Sequence, residues 1–179
     1  SAAHEVNILT APTVTVTADN NYVCQNGDVT FTANVTPVGT YNYVWTINNQ
    51  EQPDNTATIT TSMSNVGAIN ASVVVSAAGA SSSCTATATL AVPVQVVAAP
   101  TVSIAADHLT MCVGGTTTLT STVNSNVPGD FTYQWAINGI EVTGAIASSF
   151  VQPLNAAGSY EYTLRVAQNN NLNCNSTWS

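Results

Sequence analysis

The chain has no lysine and a single arginine, Arg165, against nine acidic residues, giving a formal charge of −8 over 179 residues. Without a cationic surface to release counterions from a phosphate backbone, nucleic acid and anionic lipid are excluded as partners. No run of 18 apolar residues and no heptad is present, which leaves neither a membrane span nor a coiled coil. Ser1-Ala2-Ala3-His4-Glu5 has no basic region and no long apolar core, so these residues look like the inside of a longer precursor rather than a signal peptide. Histidine occurs only as His4 and His108, in unrelated contexts, and no Ser or Cys sits in a nucleophile motif. The acids are spread singly, with no D-x-D run and no facing pair of the kind a glycosidase needs. An enzyme is not expected, and neither is a cofactor.

What the chain does have is a repeat. Tyr41 to Asn48 reads YNYVWTIN, and 90 positions later Phe131 to Asn138 reads FTYQWAIN. In both, an aromatic, a Trp and an Ile alternate (Tyr43, Trp45, Ile47; Tyr133, Trp135, Ile137), the period of a strand with one buried face. Trp45 and Trp135 are therefore expected as core anchors rather than exposed platforms. Trp178 has Ala88 at its matching position in the first copy and is the better candidate for an exposed aromatic that touches a ligand.

The repeat makes two units of about 90 residues. Ala11-Pro12 and Ala99-Pro100 mark the boundaries, because proline interrupts strand pairing. Residues 1–10 end in Val6-Asn7-Ile8-Leu9-Thr10, the same pattern as Val94-Gln95-Val96-Val97-Ala98 before the second boundary. They are read as the last strand of a preceding unit or as a donor strand, with repeat 1 at 11–98 and repeat 2 at 99–179. In repeat 1 Pro100 lies 16 positions after Cys84, whereas in repeat 2 Ser179 lies only five after Cys174. The final strand of repeat 2 is expected to be incomplete.

Within each copy the order of signals is the same. A first strand (Thr13 to Thr17; Thr101 to Ala105) leads through a turn to Cys24-Gln25-Asn26-Gly27 or Cys112-Val113-Gly114-Gly115. An alternating strand follows, with Val29, Phe31, Ala33 and Val35 or Thr117, Leu119, Ser121 and Val123 on one face. Asn48-Asn49 and Asn138-Gly139, after the Trp strands, are hairpin dipeptides. Strands are expected next at Thr56 to Thr61 and Ile146 to Gln152, then from Gly67 and Gly158. Polar loops (Ala78 to Ser83; Gln168 to Asn173) precede the second cysteine and the last strand. With no helical periodicity, this is all-β: two tandem β-sandwiches of about seven strands each.

The four cysteines fall two per unit at matching positions, read as one disulfide in each, Cys24 with Cys84 and Cys112 with Cys174, in an oxidising compartment. Partners about 60 residues apart do not suit zinc, which wants close pairs. No metal site is expected. Asp19 and Asp107 recur just after the first strand and are the only calcium candidates, outweighed by the reading of turn residues that bond their own backbone.

Cys-x-x-Gly, an alternating strand, an aromatic-x-Trp strand, Gly before a Tyr- or Val-rich strand, and a second Cys opening the final strand together resemble the tandem bacterial immunoglobulin-like and PKD-like repeats of large secreted cell-surface proteins, of adhesin or gliding type. The resemblance covers nearly the whole of both units. It implies a non-enzymatic structural or adhesive repeat in an extracellular fibre or stalk. Partners would be neighbouring repeats or neighbouring copies of the chain, with a surface glycan as a further candidate. A filament subunit polymerising by strand donation and a carbohydrate-binding module are the alternatives. The chain departs from antibody-type domains in its cysteines, which flank the strands rather than lying within them, so each bridge is expected to clip one end of its sandwich. A tyrosine corner is available only in unit two, where Tyr160 and Tyr162 follow Gly158.

Overall fold

The computed structural model describes residues 4, 8–80, 84–126, 129–168 and 174–179. The chain divides into two compact units, Ser1–Val96 and Val97–Ser179, and the described residues contain strands and no helix.

Unit one contains β1 (Thr13–Ala18), β2 (Tyr22–Cys24), β3 (Asp28–Thr36), β4 (Tyr41–Ile47), β5 (Gln50–Glu51), β6 (Thr58–Ser62), β7 (Gly67–Ile69), β8 (Ala71–Ala77), β9 (Thr85–Thr89) and β10 (Val94–Val97). One sheet has the order β1-β3-β6 and the other β5-β4-β8-β9. The alternation in the sequence explains the core between them. Val29, Phe31, Ala33 and Ile59 come from the first sheet, and Trp45, Ile47, Val73 and Val75 from the second, all buried. A third small sheet, β2-β10-β7, adds Val23, Val94, Val96 and Ile69 to the same core.

Unit two repeats the plan with β11 (Thr101–Ala106), β12 (Thr116–Asn124), β13 (Phe131–Ile137), β14 (Ile140–Glu141), β15 (Ser149–Pro153) and β16 (Tyr162–Gln168). Its sheets are β11-β12-β15 and β14-β13-β16, around Leu119, Trp135, Leu164 and Val166. Residues 174–179 run along β16, where the amide of Ser176 donates to Val166 O at 2.7 Å and that of Ser179 to Leu164 O at 3.1 Å. They hold the place that β9 takes beside β8 in unit one.

Several expected strands differ in extent. The long last strand of unit one is two pieces, β9 and β10, separated around Pro93, which has no N–H to give to a ladder. The strand expected from Gly158 starts only at Tyr162, although its counterpart in unit one begins at Gly67 as β7. The reason is the partner. β7 pairs with β10, Val94 opposite Ile69 and Val96 opposite Gly67, and the described residues of unit two contain no strand in that position. Residues 8–12 belong to no strand. Residues 1–3 and 5–7 of the N-terminal segment, and most of the two polar loops (81–83 and 169–173), lie outside the described residues.

Candidate functional site

The Cys-x-x-Gly motif is a turn. Gly27 N donates to Cys24 O at 2.8 Å and Gly115 N to Cys112 O at 3.1 Å. The third residue takes a left-handed backbone in both copies, Asn26 at φ 67 and Gly114 at φ 88. A Cβ on Gly27 would lie 2.8 Å from Val23 Cγ2 and 3.0 Å from Cys24 O, which accounts for glycine at the fourth place.

The cysteines themselves correct the sequence reading. Cys84 and Cys112 carry free thiols, whereas Cys24 and Cys174 are disulfide-bonded. Neither within-unit bridge, Cys24 to Cys84 or Cys112 to Cys174, is formed. The strand registers give the physical reason. Cys24 leads into the start of β3, at the pole where Asn26 N bonds Met63 O. Cys84 sits at the other pole, its carbonyl accepting from Ala77 N beside the β4 start, where Tyr41 faces Ala77. The nine residues of β3 separate the poles, roughly 30 Å at about 3.3 Å per residue, and a disulfide needs Cα atoms within about 7 Å. In unit two Cys112 precedes β12 and Cys174 O accepts from Gln168 N, opposite Phe131, so the same separation applies. Matching positions in a repeat show that two residues are equivalent between copies; they do not show that the two within one copy are near each other.

Trp45 and Trp135 are both 0% exposed. Their indole N–H groups donate to Thr56 O and Ala147 O, each at 2.9 Å, so the polar edge of each buried ring is satisfied. Trp135 also stacks on Phe150 with centroids 5.8 Å apart. Asp19 and Asp107 each clamp the neighbouring strand. Thr30 N donates to Asp19 Oδ1 at 3.1 Å, and Thr118 N to Asp107 Oδ1 at 2.9 Å. Asp107 also accepts from Thr117 Oγ1 at 3.0 Å and faces His108 Nδ1 at 3.2 Å. These bonds, led by the backbone N–H of Thr118, hold its carboxyl at about 2, below its ordinary 3.8, against a smaller upward push from desolvation. Among the described residues no group of three or more His, Cys, Asp or Glu stands ready to hold a metal.

Trp178 is 40% exposed. The guanidinium of Arg165 lies over its ring, 5.1 Å from the centroid, a cation–π arrangement, and the same guanidinium meets Glu141 Oε1 at 3.4 Å. The tyrosine corner is in place: Tyr160 Oη donates to Ala156 O, four residues back, at 3.0 Å. Beside it unit two has a groove of about 490 Å³, walled by residues 109–113 and 156–160 and floored by Thr117, Leu119, Leu154 and Tyr162. The Tyr162 hydroxyl is buried there without a hydrogen-bond partner, and burial pushes its pKa upward. The groove had no signal in the sequence taken one unit at a time; only comparison of the two copies shows it.

Two antiparallel sheets, a buried Trp on the central strand of one and a tyrosine corner decide the architecture. The fold is immunoglobulin-like. Among solved structures the chain is similar to the N-terminal eight immunoglobulin domains of Down Syndrome Cell Adhesion Molecule, at TM-score 0.50 and 17% identity over 91% of this chain and 26% of that one. It is also similar to the fibronectin(III)-like modules of Clostridium thermocellum CbhA (TM-score 0.44, 16% identity, 92% and 90% covered). A third likeness is to the ectodomain of mouse nectin-like molecule 4 (TM-score 0.39, 15% identity, 90% and 60% covered). The chain spans about a quarter of the length of the first of these. No family model and no curated protein matches it. The likeness is one of fold.

Proposed function

We propose that the chain is a non-enzymatic structural or adhesive repeat of a long secreted protein, working in a stalk or fibre at the cell surface. Its partners are neighbouring repeats of the same protein or neighbouring copies of the chain. The observation that carries this reading is where the repeated polar groups go. Asp19 and Asp107 bond strand backbone. Asn48 and Asn138, in the hairpin turns, accept from the amides of Asn70 and Glu161 at 2.9 and 2.8 Å. Both Trp N–H groups bond loop carbonyls. These recurring polar groups serve the fold, as a scaffold under selection for persistence requires. The composition agrees, since Arg165 is the one position a trypsin-like protease would cut.

Trp178 supports a second reading, a carbohydrate-binding module. It is an exposed aromatic with Ala88 at its matching position in unit one, and Arg165 lies over its ring. A glycan array with the parent chain and Trp178→Ala separates the two. The structural reading expects no saturable binding by either. Saturable binding by the parent that is lost in the variant would replace it with the carbohydrate-binding one.

A further inference from the structure

Each of the two cysteine positions of the repeat occurs in two chemical states. Cys24 and Cys112 open the same turn, and its backbone is held by the same bonds in both units. Asn26 N donates to Met63 O and Gly114 N to Leu154 O, each at 2.7 Å, while Met63 N and Leu154 N donate back to Gly27 O and Gly115 O, each at 2.9 Å. Cys84 and Cys174 match in the same way. Ala77 N donates to Cys84 O at 3.1 Å and Gln168 N to Cys174 O at 3.3 Å, from the last residues of β8 and β16, which face Tyr41 and Phe131 across the ladder. At each position one copy is disulfide-bonded, Cys24 or Cys174, and the other, Cys112 or Cys84, is a free thiol. The bonded two are one turn cysteine and one second cysteine, and so are the free two. Cys112 is exposed and Cys84 half-buried.

We propose that Cys112 of one copy of this chain forms a disulfide with Cys84 of a second copy. The bonded state of Cys24 and Cys174 shows that both backbone settings accept a disulfide, and a turn cysteine with a second cysteine is the combination that is left. The chemistry is thiol–disulfide exchange with a small disulfide, oxidised glutathione. The Cys112 thiolate attacks one sulfur of the oxidant, forming a mixed disulfide and releasing one glutathione thiolate. The Cys84 thiolate of the second copy then attacks the Cys112 sulfur, forming the bond between the chains and releasing the second glutathione thiolate. Two protein thiols are oxidised, one small disulfide is reduced, and the two protons lost by the protein end on glutathione. Because the two partners are different surfaces of the chain, the contact is heterologous and repeats head to tail. The proposal rests on the reading of neighbouring copies as partners and names the bond between them.

The test incubates concentrated residues 1–179 with reduced and oxidised glutathione and reads non-reducing gels and peptide maps. A ladder of dimers, trimers and longer species is expected, collapsing to monomer on reduction, with a Cys84–Cys112 peptide recovered from it. Cys84→Ser and Cys112→Ser, each shown to be folded by circular dichroism, should stay monomeric alone, since each lacks one half of the bond. Mixed together they should give a dimer and nothing longer. The glycan array, on which the non-enzymatic reading stands or falls, is independent of these results. A parent that remains monomeric, or whose Cys84 and Cys112 close on each other within one chain, overturns the proposal; so does a dimer formed by either variant alone, or no dimer from the mixture.

Discussion

Asp107 and Thr118 hold each other twice: the Thr118 amide donates to Asp107 Oδ1 at 2.9 Å, and the Asp107 amide donates to Thr118 O at 3.0 Å. The carboxylate is the form these donors favour, which is why its pKa falls to about 2 from 3.8. A group whose folded pKa is depressed stabilises fully above its unfolded value and loses that contribution as pH falls through the folded one. Unit two should therefore weaken as pH drops from about 4 to about 2. Asp107→Asn, which cannot titrate, should show a flatter dependence. Denaturation midpoints at pH 5 and pH 2.5 for both proteins check this, and parallel curves would exclude the clamp.

The same pair shows what could be read from the sequence. A recurring Asp after the first strand was legible as a backbone-bonding turn residue, and so were the Trp strands, the hairpin dipeptides and the two-unit plan, because each rests on local pattern. What was not legible depends on distance. Cys24 and Cys84 are separated by the length of β3, and the residues from Gly158 to Glu161 form no strand because, among the described residues, no strand lies beside them as β10 lies beside β7. Neither fact has a local signature.

Removing a buried tryptophan should be costly. Trp45→Ala and Trp135→Ala are each expected to destabilise their own unit by about 3–5 kcal/mol. Phe at either position keeps most of the apolar contact but forfeits the bond to Thr56 O or Ala147 O, and should cost less. Denaturant titration followed by tryptophan fluorescence and amide protection provides the ranking; an Ala variant within 0.5 kcal/mol of the parent (about the scatter of surface changes) would be incompatible with a core role.

The cysteine states predict a labelling pattern. Alkylation of the denatured but unreduced chain should mark Cys84 and Cys112 and spare Cys24 and Cys174. Cys112→Ser, at an exposed position, is expected to shift stability by no more than about 0.5 kcal/mol, while Cys24→Ser removes a disulfide and should cost about 2–5 kcal/mol. Recovery of a Cys24–Cys84 peptide from a non-reducing digest would contradict the assignment.

Gly27 leaves no room for a methyl group. In Gly27→Ala the new Cβ would press on Val23 Cγ2 and Cys24 O, and overpacking of this kind costs about 1–3 kcal/mol. Gly115→Ala should be milder, since the nearest atoms, Cys112 O and Met111 Sδ, are 3.1 and 3.2 Å away and the Met side chain can move. Thermal melts of the two variants should fall in that order, and a reversed order would refute it.

The placement of β10 also has a consequence in time. Those four residues are the last of unit one to be made, yet they enter between β2 and β7, which were made long before. At about 5–20 residues per second during synthesis, the slot stays open for the seconds it takes to add the 28 residues that follow Ile69 up to Val97. In that interval any extended Val- or Ile-rich segment nearby is a competitor for the slot, so the rate at which the final strand arrives, rather than the stability of the finished sandwich, decides how often the fold closes on its own chain.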